Sequence, residues 1–248
     1  MDASAHEAPV FAAFGESAVI VSFGATFEPR THRRAVAFGR RLEAEPFPGY
    51  VEQVPAYTTV CVYFDPWVVA HAPGERAAPY DRVVAWLRER IARWERDGAA
   101  PDNDAGGKTV PIPLCYCEAC GPDLPALAAA AGLSVSEAVE LHLGARYTVT
   151  MIGFLPGFPY LSGLSERLSA PRLDTPRAAV PAGSVGIAGR NAGIYPTASP
   201  GGWNLIGRTS VRLFLPERPD PSLLEVGDTV VFVRVAHDER EGTAEPWR

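Results

Sequence analysis

Hydrophobic positions change period several times along the chain. Residues 18–23 form an apolar run of strand type, and Ala35, Phe38 and Leu42 then recur at helical spacing behind Thr31, a residue suited to capping a helix. Residues 57–64, rich in β-branched and aromatic side chains between Pro55 and Pro66, predict another strand. Val83, Leu87, Ile91 and Trp94 return to helical spacing. The order strand, helix, strand, helix predicts a small α/β amino-terminal unit over residues 1–96.

Residues 97–107, made of Asp, Asn, Gly, Ala and Pro, read as a linker. A second domain is expected over 108–240, with 241–248 as a tail. Its first element, 109–114, reads as an edge strand because Pro111 and Pro113 have no N–H to give a ladder. A helix over 124–131 should stop at Gly132, and Ser134 with Glu137 makes a capping box that starts a second helix over 135–143. Residues 146–152 alternate as a strand. From 153 to 203, nine glycines and seven prolines in 51 positions leave room only for loops and short strands. Residues 226–235 read as a turn followed by a buried strand.

Composition sharpens this outline. Of 248 residues, 47 are Gly or Pro, too many for a helix bundle, and the 47% apolar share is enough for real cores. No apolar run nears the roughly 18 residues of a membrane span, and the start is polar and acidic, so a cytoplasmic protein without a membrane role is expected. Lys108 is the only lysine, which leaves almost no room for Schiff-base or lysine-base chemistry. The net charge is -6, yet residues 142–208 hold six arginines and only two acids, Glu166 and Asp174. A cationic island in an acidic chain suits a small anionic ligand, whereas nucleic acid would call for a broader basic surface.

Several motifs are discounted on context. Gly107-Lys-Thr109 matches only the end of a phosphate-binding loop, with Asp102 where its first glycine belongs. Ser184, in Ala182-Gly-Ser-Val-Gly186, lacks the helix that a nucleophile elbow needs, and reads as a turn residue. Cys115, Cys117 and Cys120 offer three thiols where zinc usually takes four ligands. Neither Cys61 nor the histidines show paired spacing, so inert thiols and no metal site are expected. Two stretches hold more promise. Residues 154–161 and 200–209 read as proline-stiffened loops that present Phe158, Tyr160 and Trp203, and His142 precedes the strand leading into the first of them. A histidine so placed suits a general acid or base.

At these residues the sequence resembles the KipI, or allophanate hydrolase subunit 1, family. The resemblance is carried by Leu141-His142, Tyr147-Thr-Val149, Gly153-Phe-Leu-Pro-Gly-Phe-Pro-Tyr-Leu161, Pro171-Arg172, Pro176-Arg177, Val180-Pro-Ala-Gly-Ser-Val-Gly-Ile-Ala-Gly189, Gly193-Ile-Tyr-Pro196 and Ser199-Pro-Gly-Gly-Trp203 through Leu205-Ile-Gly-Arg-Thr209. Asn204 stands where the family pattern has glutamine, and Cys117 and Cys120 are atypical of it. The resemblance implies an α+β protein, with a small α/β domain followed by a cyclophilin-like β-barrel. It implies a KipA-like (allophanate hydrolase subunit 2-like) partner, a LamB/YcsF-like third subunit, and ATP-dependent opening of 5-oxoproline, an anionic lactam, to glutamate.

For that chemistry Arg172, Arg177 and Arg208 are expected to bind the substrate carboxylate or phosphate, helped by Gly201, Gly202, Asn204 and Thr209. His142 is the expected proton carrier, and Phe158, Tyr160, Tyr195 and Trp203 are expected to shape the pocket. Carboxylates are scarce here, so any magnesium accompanying ATP is expected to take its ligands from a partner. Two further roles stay open for such a chain: inhibitor of a sensor histidine kinase, or component of another ATP-dependent amide or urea-pathway hydrolase.

Overall fold

The computed structural model describes residues 8–74, 77–96 and 107–237. The chain divides into two compact units, Met1–Gly106 and Gly107–Arg248. Apart from Gly107, the expected linker lies outside the described residues, as does the expected tail. Helices and mainly antiparallel strands combine as an α+β protein, and among the described residues no single helix is long and apolar enough to cross a membrane.

In the first unit, β1 (Val10–Ala13), β2 (Ala18–Ser22), β3 (Tyr50–Ala56) and β4 (Thr59–Phe64) form an antiparallel sheet in the order β1-β2-β4-β3. Alternation along β4 buries Val60, Val62 and Phe64. These join Ala35, Phe38 and Leu42 of α1 (Pro29–Ala44) and Val83, Leu87, Ile91 and Trp94 of α3 (Pro79–Arg96) in one core. A short α2 (Pro66–His71) is capped by Asp65, whose carboxylate accepts from the N–H groups of Trp67 and Val68. Two expectations change. Helix α1 begins at Pro29, whose preset φ suits the first turn, so Thr31 lies inside it. Tyr57, expected in a strand, sits with φ 55 in the turn between β3 and β4.

The second unit is built around a seven-stranded sheet in the order β12-β9-β10-β7-β6-β13-β5. Its members are β5 (Thr109–Leu114), β6 (Tyr147–Ile152), β7 (Pro159–Ser162), β9 (Ser184–Ala188), β10 (Asn191–Ile194), β12 (Asn204–Arg208) and β13 (Thr229–Arg234). The two ends of that order meet at one residue pair. Cys115 N–H donates to the Arg208 carbonyl at 3.0 Å, and Arg208 N–H donates back at 2.9 Å. This pair brings the sheet close to a closed barrel. β8 (Arg177–Val180) and β11 (Ser199–Gly201) form a separate ribbon.

β5 runs parallel to β13 from Thr109↔Thr229 to Leu114↔Arg234. Buried Asp228 pins the entry of this pair, its carboxylate accepting from Lys108 N–H at 2.9 Å and Glu225 N–H at 2.8 Å. Helices α4 (Leu124–Ala130) and α5 (Val135–Leu143) add Leu124, Leu127, Ala138 and Val139 to the barrel core. The Ser134–Glu137 capping box is present at the start of α5. Ser184, read from sequence as a turn residue, is the buried first residue of β9.

The approach of the chain at Gly183 is closer than any side chain permits. A Cβ there would lie 1.9 Å from the Thr209 carbonyl oxygen, and φ is +79°. Gly189, at φ +56°, has open space around it. Gly183→Ala is expected to cost more than about 2 kcal/mol, and Gly189→Ala about 1 kcal/mol from backbone strain alone. Urea unfolding of the two variants checks this, and equal losses would contradict it.

Candidate functional site

The cationic island divides into a cavity beside the barrel seam and an arginine-edged aromatic cluster. The cavity, of about 250 Å³, is lined by Gly183, Pro196, Arg208, Thr209, Ser210 and Arg212, with Ala182 and Val211. None of these is acidic. Arg208 is fixed at the end of β12 by the seam pairing and by donation of its Nε–H to the Ala182 carbonyl at 2.9 Å. Among the described residues no carboxylate forms an ion pair with it. Arg212 has an exposed, 3.7 Å pairing with Glu217. Thr209 is buried, and its hydroxyl oxygen accepts from Val211 N–H at 3.1 Å, which holds the turn after β12. An arginine that lines a cavity without acids suits a carboxylate or phosphate.

Around Phe158 the expected pocket is a packed core. Its ring centroid lies 5.1 Å from Tyr160, 5.2 Å from Tyr195 and 5.6 Å from Trp203. Phe158 and Tyr195 are each 1% exposed and Trp203 is 7% exposed; only Tyr160 is half-buried. Interlocked rings with so little free surface support the loops instead of lining an opening for a ligand. Burial pushes the Tyr195 hydroxyl above its usual pKa, opposed by a hydrogen bond with the Trp203 backbone and by the charges of Arg172 and Arg177. Both arginines thus lie within electrostatic reach of this ring.

Of the remaining expected ligand contacts, all but Arg172 have structural partners. Arg177 Nη2 donates to Asp123 Oδ1 at 2.6 Å, while Asp123 Oδ2 accepts from Leu205 N–H at 2.6 Å. One acid therefore ties β8 and β12 to the start of α4, and it neutralises Arg177. The Asn204 amide donates to the carbonyls of Pro171 at 2.8 Å and Ile187 at 3.2 Å. Gly201 pairs with Arg177 in the ribbon and lies against Tyr195, where a Cβ would come 2.4 Å from its hydroxyl oxygen. The Gly202 carbonyl accepts from Leu173 N–H at 2.8 Å. Arg172 is exposed and has no ion pair among the described residues.

His142 is not in either place. It is 1% exposed and packed among Tyr116, Tyr147 and Phe232, with ring centroids 4.6 Å apart for the Phe232 pair. Its Nδ1 shares a 2.7 Å hydrogen bond with the Tyr116 hydroxyl, and its buried Nε2 has no hydrogen-bond partner among the described residues. Burial lowers its pKa from 6.5 to about 3. A proton carrier must reach solvent or substrate, and this ring reaches neither, so the expected catalytic role gives way to a core role. Sequence reasoning also missed His237, which lies beside Cys115, Cys117 and Cys120. No local spacing marks it; the parallel register of β5 and β13 brings both strand exits together.

Comparison with known proteins adds to this geometry. The family model for the carboxyltransferase domain, subdomain C and D, matches residues 9–224. The chain is 40% identical over 226 residues to the 5-oxoprolinase B subunit of Bacillus subtilis, covering 91% of this chain and 92% of the relative. It is likewise 40% identical over 219 residues to the 5-oxoprolinase B subunit of Escherichia coli O157:H7, covering 88% of this chain and 93% of that one. The solved structure of TTHA0988 superimposes with a TM-score of 0.72 at 35% identity, over 88% of this chain and 40% of that longer chain.

The His142 environment makes a pH-dependent contribution whose sign is fixed. Its folded pKa of about 3 lies below the ordinary 6.5, so this contribution to stability is full above pH 6.5 and falls away as pH drops toward 3, where the unfolded chain takes up the proton first. Urea unfolding at pH 7 and pH 4.5 should show a smaller loss on acidification in His142→Leu than in the parent protein. An identical loss in both would contradict the burial argument.

Proposed function

The chain belongs to the carboxyltransferase domain, subdomain C and D family, and on that premise we propose that it is a subunit of an ATP-dependent 5-oxoprolinase. The observation that carries this reading is the match over nine-tenths of the chain to the B subunit of 5-oxoprolinase, 40% identical in Bacillus subtilis. The proposed complex includes a KipA-like and a LamB/YcsF-like subunit, and its substrate is the anionic lactam 5-oxoproline.

A five-membered lactam is a poor electrophile. Transfer of the terminal phosphoryl group of ATP to the amide oxygen activates the ring carbon. Water then adds, the C–N bond breaks as nitrogen takes up a proton, and a second water releases phosphate to leave glutamate. Both reactants are anions, so the site must hold negative charge in place while it shifts. The acid-free cavity with half-buried Arg208 is the feature of this chain best suited to that task, with the exposed Arg172 as a second guanidinium on the same stretch of sequence. Arg177, neutralised by Asp123, acts here as a positioning residue.

The same cavity does not fit a magnesium ion, because it offers no carboxylate. Magnesium ligands in the proposed enzyme are phosphate oxygens, water and acids of the partner subunits. The proton carrier also comes from elsewhere than His142. The chain alone is therefore expected to be inactive.

Co-expression with the two candidate partners, followed by phosphate release with and without 5-oxoproline, tests the reading. Arg208→Ala should lower lactam-dependent turnover more than tenfold, equivalent to about 1.4 kcal/mol of barrier. Arg190→Ala, which removes an exposed ion pair with Glu166, should leave turnover unchanged. Lactam-dependent turnover by the chain alone, or an unchanged rate in Arg208→Ala, would overturn the assignment.

A further inference from the structure

Cys115, Cys117, Cys120 and His237 place one ligand atom each within 4.8 Å of one another. The sequence offered only three of these as a cluster. The fourth arrives through topology. β5 and β13 run parallel and in register up to Leu114↔Arg234, so the residue after β5, Cys115, and the segment after β13 leave the barrel side by side. Two residues beyond Val235, His237 turns its Nδ1 toward the thiols. That nitrogen lies 3.9 Å from the Cys115 sulfur, 3.4 Å from Cys117 and 3.5 Å from Cys120.

These separations have a specific meaning. With Zn–S of about 2.3 Å and Zn–N of about 2.0 Å at tetrahedral angles, a ligand nitrogen and a ligand sulfur stand about 3.5 Å apart. The three measured values bracket that edge. Donor chemistry agrees, since three sulfurs and an imidazole favour zinc over the hard, oxygen-seeking magnesium or calcium.

Backbone hydrogen bonds fix the segments that carry the thiols. Cys115 is locked to Arg208 by the seam hydrogen bonds. Cys117–Cys120 is a tight turn in which the N–H groups of Cys120 and Gly121 both donate to the Cys117 carbonyl, at 2.9 and 2.8 Å. Gly121 presses that turn onto β12, where a Cβ would fall 2.2 Å from the Ile206 carbonyl oxygen. Cys115 and Cys120 are buried, whereas Cys117 and His237 face solvent, which leaves an entry route. Arg234 lines the adjoining cavity, a suitable counter-charge for the net negative charge of zinc with three thiolates.

We propose that Cys115, Cys117, Cys120 and His237 form a structural zinc site that fastens the segment after β13 to the loop after β5 at the barrel seam. All four positions around the ion are filled by protein, so the site holds structure and performs no chemistry. Asp228 pins the entry of the same parallel strand pair, and the zinc site pins its exit. The inference does not depend on the proposed enzymatic role.

The test uses the full chain, reduced, stripped with a chelator and then titrated with zinc chloride, with bound metal measured by elemental mass spectrometry. One zinc per chain is expected, together with a higher melting temperature. Cobalt chloride in place of zinc should give the intense visible bands of a tetrahedral thiolate site. Cys117→Ser and His237→Ala, both at solvent-facing positions and checked for folding by circular dichroism, should each weaken zinc binding at least tenfold. Cys61→Ser, in the other unit, should bind as the parent does. Uptake below a tenth of an equivalent by the folded, reduced parent, or unchanged affinity in either Cys117→Ser or His237→Ala, would overturn the proposal.

Discussion

The backbone pair between Cys115 and Arg208 decides what the second unit is. Without it, seven strands form an open sheet with β5 and β12 as free edges, each offering unpaired N–H and C=O groups to a neighbour. With it, the edges meet, and two side chains take up their places from the same pair of peptides. The Arg208 guanidinium is set at the acid-free cavity, and the Cys115 thiol is set among the ligand-type groups. Gly183 and Gly121 permit the approaches on which this arrangement relies, one against the Thr209 carbonyl and one against the Ile206 carbonyl.

Charge within the island is unevenly used. Six arginines in sequence suggest a single anion-binding face, but three dimensions give them different fates. Arg177 is paired with Asp123, and Arg190 with Glu166. Arg208 keeps an acid-free environment. The half-buried Arg177–Asp123 pair does more than cancel charge, because Asp123 also holds Leu205 N–H and thereby fixes the strand that ends in Arg208. A structural ion pair thus stands behind the cationic cavity.

Local signals were legible in the sequence, and long-range ones were not. The Ser134–Glu137 capping box and the faces of α1 and α3 follow from residues close together in the chain. The turn at Tyr57 was missed because a β-branched and aromatic run looks the same whether it holds one strand or the corner of a hairpin. Phe158 and Trp203 of the two stiff loops, with Tyr195, are expected at a pocket, yet these rings pack on one another; composition does not distinguish a lined opening from a filled one. His142 was misread for a related reason, since a histidine at a helix end can point inward or outward and only packing decides. Arg177 and Asp123 are 54 residues apart, and Cys117 and His237 are 120 apart, so neither pairing leaves a local trace.

Amide hydrogen exchange on the reduced full chain, resolved by residue, reads the barrel seam. Closure predicts that the amides of Cys115 and Arg208 exchange as slowly as those of the buried strand β9, through cooperative opening of the barrel. Exchange of both at the rate of the outlying β8–β11 ribbon would show a sheet with free edges and contradict the arrangement on which both candidate sites rest.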